Sequence, residues 1–181
     1  MLYLLFQIGP DRYAVEARQA VEVLPFLELK RLPHAPRGVA GCFNYRGRHV
    51  TAIDLCELTY GRPAGELLST RIILLKYQVP GQPAPSRQTP GDSPDRAPVF
   101  GLIAEHATGM MHRDARDFEP TGVRAGGASY HGPILMDGQG PVQLLHPEHL
   151  LTEAVRALIA GQLRPELSSV TAPPALGAAP A

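Results

Sequence analysis

The chain has 181 residues, enough for one domain or two small, tightly joined ones. Apolar residues make up 44% and charged residues 19%, the balance of a globular protein. The 17 basic side chains match the 17 acidic ones, so no bulk charge draws the chain to nucleic acid or anionic lipid. Local basic spots at Lys30, Arg31 and Arg37 lack the interleaved aromatics of a single-strand binder. Two cysteines exclude a disulfide framework; Cys42 and Cys56 sit among apolar neighbours and read as buried, inert thiols. The apolar start turns polar by Gln7, too short for a signal peptide or a spanning helix. The expectation is a cytoplasmic protein that reaches a membrane only through a partner.

In chain order the pattern is mostly β. Residues 2–8 form an apolar run that ends at the turn Gly9-Pro10-Asp11, and 13–17 read as the return strand. Residues 20–24 form a strand stopped by Pro25, in which Glu22 alternates with Val21 and Val23 and is expected to point away from the core. Strands at 39–45 and 49–54 flank Arg46-Gly47-Arg48, a tight hairpin turn. Gly38 and Gly41 serve backbone geometry in this reading. Asp54 caps a short helix at 55–58. Residues 70–77 hold the apolar run Ile72-Ile73-Leu74-Leu75, another strand. Residues 78–98 carry six of the 19 prolines and read as a disordered internal loop. Two strands follow at 99–104 and 108–111, then a hairpin from 130–136 and 141–145 around Asp137-Gly138-Gln139-Gly140. Leu151, Ala154, Val155, Leu158 and Ile159 make one apolar helical stripe, with Gly161 placed to end the helix. Residues 164–181 read as a disordered tail, and no repeat at a fixed period is visible. Many short strands split by turn residues argue for barrels or a sandwich.

The segment Leu32-Pro33-His34-Ala35-Pro36-Arg37-Gly38-Val39-Ala40-Gly41-Cys42-Phe43-Asn44-Tyr45-Arg46-Gly47, leading into Val50-Thr51-Ala52-Ile53-Asp54-Leu55, resembles the hallmark of CheW-like domains. That hallmark is a proline-flanked turn, a glycine-containing strand, an Asn-x-Arg-Gly hairpin and a strand ending in Asp-Leu. Gly101-Leu102-Ile103 and the closing stretch from Leu144 through His146-Pro147 to Leu151 fit the same family. The resemblance runs over about residues 2–160, with a Wsp-type flavour in Leu4-Leu5-Phe6-Gln7 and Glu22-Val23-Leu24-Pro25. Tyr45 stands in place of a leucine, Glu105 in place of an aspartate, and His146 in place of an aspartate.

The resemblance implies a mainly β fold: two five-stranded SH3-like barrels sharing a core, with a C-terminal helix, over a domain spanning 1–163. It implies a non-enzymatic adaptor that couples a methyl-accepting receptor to a CheA-type histidine kinase, held at the inner face of the membrane by the receptor. Glu22, Val23, Tyr45, Arg46 and Gly47 then become the partner-binding residues. Read without the family, Arg46 at a hairpin tip either meets a partner's carboxylate or pairs with a local acid such as Glu22 or Asp54. A generic SH3-like interaction module with an unrelated partner is the alternative function. An enzyme or metalloprotein finds little support. There is no nucleophile elbow, P-loop or dinucleotide fingerprint, and His146, Glu148 and His149 are the only close ligand group. No catalytic, cofactor or metal site is assigned.

Overall fold

A computed structural model describes residues 1–77, 98–120 and 131–162. The proline-rich stretch, apart from Pro98, the tail at 164–181 and the expected first residue of the 130–136 strand lie outside them.

The described residues form nine strands and two helices. They are β1 (Leu2–Ile8), β2 (Asp11–Glu16), β3 (Ala20–Pro25), β4 (Val39–Tyr45), β5 (Arg48–Asp54), α1 (Leu55–Tyr60), β6 (Arg71–Lys76), β7 (Val99–His112), β8 (His131–Asp137), β9 (Gly140–Leu145) and α2 (Glu153–Gln162). The sequence splits residues 99–111 into two strands; the structure has one 14-residue strand, β7. Its first half pairs with β6 and, in parallel, with β5, while its second half pairs with β1. The apparent break is a bend. The ladder to β1 shifts register opposite Glu105, and His106 sits at φ +46°. At that point the strand passes from one barrel into the other.

Two five-stranded paths therefore share β7: β3-β6-β7-β5-β4 and β7-β1-β2-β9-β8. They repeat one plan. Each contains a terminal hairpin whose second strand runs parallel to its neighbour, β5 beside β7 and β9 beside β2. An isolated bridge extends each, Lys30 to Cys42 and Glu119 to Ile134. The second copy uses the first and last of the described strands, so its order along the sequence is permuted and no fixed period can show it.

Phe43, Val50, Ile72, Leu74 and Ile103 fill the first barrel, and Tyr3, Phe118, Leu135, Val142 and Leu144 the second. A larger core lies between them, built from Phe6, Ile8, Ile53, Leu55, Ile73, Leu75, Phe100 and Leu102. This explains the unbroken apolar run of β6: Ile72 and Leu74 face the first barrel and Ile73 and Leu75 the shared core, so neither face is solvated. Cys56 is buried in the shared core, and burial pushes its thiol up to about 11, which suits an inert side chain.

Val155 and Ile159 of the final helix, with Leu151 just ahead of it, cover the shared core. The helix begins two residues later than the stripe suggests, because Thr152 Oγ1 accepts from Val155 N at 3.4 Å and caps it. Leu158 is only half-buried and Ala154 is exposed. Gly161 lies inside α2 and does not end it.

In β4, Gly41 sits at φ +154°, and a Cβ there would lie 2.6 Å from the Lys30 carbonyl oxygen. Only glycine lets the two backbones approach closely enough for the Lys30–Cys42 bridge. Gly38 accepts from Asp54 N through its carbonyl at 2.7 Å, joining the ends of the hairpin.

The second barrel is pinned by a bidentate pair. Arg12 donates to Asp137 Oδ1 at 2.6 Å and to Oδ2 at 2.8 Å, with both side chains mostly buried. The Arg12 bond holds the Asp137 carboxyl down at about 2, below its ordinary 3.8. A depressed carboxyl stabilises the fold above its unfolded value and loses that contribution as pH falls. The pair therefore contributes fully above about pH 4 and fades as the pH drops through 3.8 toward 2. Asp137→Asn is expected to lower Tm at neutral pH by several degrees and to flatten its acid dependence, as read from melting curves between about pH 2 and 6. Equal acid slopes for both proteins would refute this role.

Candidate functional site

The β4–β5 hairpin closes with the two residues Arg46 and Gly47, at φ +50° and +82°. Both central angles are positive, as in a type I′ turn, whose twist matches that of the strands. Asn44 Oδ1 accepts from Gly47 N at 2.8 Å and fixes the turn from inside. This left-handed conformation is costly for an arginine, by about 1 kcal/mol, and asparagine is the residue the turn prefers.

Strand β3 faces the opposite way from the sequence expectation. Ala20, Glu22 and Leu24 are half-buried, while Val21 and Val23 are 46% and 39% exposed. Alternation fixes the period of a strand but not its phase. The phase is set by the ladder to β6, which pairs Glu22 with Leu74 and Leu24 with Ile72. Leu74 and Ile72 point into the first barrel, so Glu22 lies on that side, under the hairpin tip. Val23 sits opposite Ile73, on the other face of β3.

At the tip, three side chains converge. Tyr45 Oη donates to Glu22 Oε2 at 2.7 Å, and Arg46 Nη2 donates to the same oxygen at 3.2 Å. The Arg46 guanidinium also lies 5.0 Å from the centre of the Tyr45 ring, within cation–π range. Of the two local acids open to Arg46, Glu22 is the one it meets. Asp54 is at the far end of β5, where Oδ1 accepts from Glu57 N to cap α1 and Oδ2 accepts from Ala64 N. Even so, the Arg46 side chain remains 59% exposed and that of Glu22 40%. An ion pair this exposed adds at most about 1 kcal/mol. The structure thus brings Glu22, Tyr45, Arg46 and Gly47 together and leaves Val23 outside the cluster.

The sequence reading has Tyr45 as a departure from a leucine and, by resemblance, as a partner-binding residue, but nothing in the strand pattern shows that its hydroxyl reaches Glu22. Glu105 has a comparable history. It is buried on β7 at the barrel junction and accepts from Gly65 N at 2.8 Å, Gly9 N at 2.9 Å and Arg62 at 3.3 Å. Burial alone would raise its carboxyl, but these donors lower it on balance, so it stays charged. His146 lies 3.7 Å from Glu148 and packs its ring against that of His149. Among the described residues no group of three His, Cys, Asp or Glu is placed to hold a metal ion.

Paired β-barrels built on one shared strand define the class. The scaffolding protein TtCheW from Thermoanaerobacter tengcongensis has the same fold, with a TM-score of 0.67 over 83% of this chain and 87% of that one, at 18% identity. No curated protein matches the chain. A family model for the CheW-like domain matches residues 2–155, and the chain belongs to that family. Membership of that family places it in chemotaxis-type signal transduction.

Proposed function

We propose that this chain is a non-enzymatic adaptor that couples a methyl-accepting receptor to a CheA-type histidine kinase, with the Glu22–Tyr45–Arg46 cluster as a contact surface. The observation that carries the reading is an exposed arginine kept in a turn that disfavours it and aimed by two neighbours. A side chain that adds little to stability and is still held in one orientation is pre-organised for a partner's carboxylate. Among the described residues no helix is long and apolar enough to cross a membrane; in this reading the receptor holds the chain at the inner face. Val23, exposed on the other face of β3, widens the same edge for contact.

Reconstitution tests the reading. The chain is expected to bring the kinase down with receptor-bearing vesicles, and failure to bind either protein would return it to a generic interaction module. Tyr45→Phe sharpens the test by keeping the ring under Arg46 and removing the bond to Glu22. Loss of one hydrogen bond of about 1 kcal/mol predicts roughly fivefold weaker assembly, with Tm changed by no more than a few degrees. Unchanged assembly would remove Tyr45 from the site.

A further inference from the structure

Three side chains grip the β1–β2 turn where the two barrels meet. Tyr60, the last residue of α1, donates from its hydroxyl to Asp11 Oδ2. Its ring and Arg62 lie over Gly9, where an added Cβ would stand 3.3 Å from Tyr60 Cε2 and 3.3 Å from Arg62 Nη2. Glu105 completes the grip from β7. Its Oε2 accepts from Gly9 N at 2.9 Å, while its Oε1 accepts from Gly65 N at 2.8 Å and from Arg62 at 3.3 Å. One buried carboxylate thus holds a backbone amide of each barrel: Gly9 in the turn of the second, and Gly65 in the loop from α1 to β6 of the first. Gly9 N also faces the Cys56 sulfur, a weaker acceptor.

The carboxylate stands where the sheet is interrupted. The β1–β7 ladder breaks between Leu5 and Gln7, and His106, next to Glu105, holds φ +46°. A buried carboxylate is expensive, and this one bridges the interruption with charge-assisted bonds instead of ladder bonds. The segments it ties are lightly packed. Pro10, Asp11, Arg62 and Pro63 are exposed, and Tyr60 is 40% exposed. Ala64 alone of the loop packs against the cores, with its amide on Asp54 Oδ2 at 2.8 Å. Segments with so little buried apolar surface open at lower free energy than the cores beneath them.

We infer that the β1–β2 turn and the α1–β6 loop form one latch across the barrel junction, which opens and closes as a unit on Glu105 while both barrels stay folded. The two amides share one acceptor group, so releasing the carboxylate frees both at once. A disturbance at the turn of the second barrel is thereby felt in the loop of the first.

Amide hydrogen exchange of the full chain at neutral pH tests the latch. Gly9 and Gly65 are expected to show protection equal within about threefold, and lower than that of Ile73 and Val142 in the interior strands. Glu105→Gln leaves one carbonyl oxygen for two amides and removes the charge that meets Arg62. It should cut protection of Gly9 and Gly65 together by about tenfold or more, with Ile73 and Val142 changed by less than about twofold. Tyr60→Phe acts from the other side, since it removes only the bond to Asp11. A single latch requires that protection of Gly65 fall with that of Gly9, although Tyr60 bonds only the turn. A loss at Gly9 with Gly65 unchanged, in either variant, would show two independent sets of bonds and overturn the inference. So would an equal loss at Ile73 and Val142, which would make the opening global unfolding.

Discussion

Arg46→Asn is expected to leave the protein at least as stable as the wild type and to weaken its assembly with receptor and kinase at least tenfold. The two effects come from the same geometry. Arg46 occupies the first central position of a type I′ turn at φ +50°, where asparagine followed by glycine is the favoured pair. The substitution relieves local strain and removes an exposed ion pair of small value, so Tm should be no lower and up to about 2 °C higher. At an interface the balance is reversed. Truncating an arginine hot spot typically costs about 2 kcal/mol or more, beyond one decade of affinity. Arg46→Lys should recover binding only in part, because an ammonium cannot make the planar, two-pronged contact of a guanidinium. Glu22→Arg should weaken assembly similarly by charge reversal. Melting curves and co-sedimentation of kinase with receptor read the two quantities separately. A variant that unfolds would make Arg46 a brace of the barrel, and one that keeps both properties would remove the turn from the function.

Ile159→Asp is expected to yield unfolded or insoluble protein. Ile159 is 1% exposed and packs with Leu151 and Val155 into the core between the barrels. An unpaired carboxylate there costs several kcal/mol, comparable to the whole stability of a domain of this size. Leu158→Asp, on the same apolar stripe in the sequence, should be milder because Leu158 is half-buried. Expression, solubility and the far-ultraviolet spectrum of the pair decide the matter. Folded, soluble Ile159→Asp would mean that α2 is not required to cover the core.

The hairpins were legible because their chemistry is local. Asn44 to Gly47 and Asp137 to Gly140 each fix a turn within four residues, and the strands on either side follow. The stripe of α2 was legible for the same reason, although its start depends on Thr152, which the apolar period does not register. What escaped is what distant strands decide. The facing of Glu22 is set by β6, about fifty residues away in sequence, and its bond to Tyr45 follows from that facing, whereas its pairing with Arg46 was one of the two the sequence offered. The continuity of β7 was hidden by the bend at His106, where it leaves one barrel for the other. Glu105 showed only as a departure from an aspartate, because one of its donors, Gly9, lies 96 residues away.

The permuted second barrel bears on the order in which the molecule can be assembled. The strands β3 to β7 follow one another along the chain, so the first barrel can close as soon as β7 is available. The hairpin β1–β2 precedes the other described strands and is completed last, since its partner β9 is the last of them, and the Arg12–Asp137 clasp joins residues 125 apart. During synthesis the N-terminal hairpin has Tyr3, Phe6 and Ile8 to bury and only part of its barrel to bury them in. Closing so long a span is slow, because the entropy of ordering the intervening chain is lost before the contacts that offset it can form. The second barrel is therefore expected to form after the first in refolding, and to be the one where unfinished copies mispair.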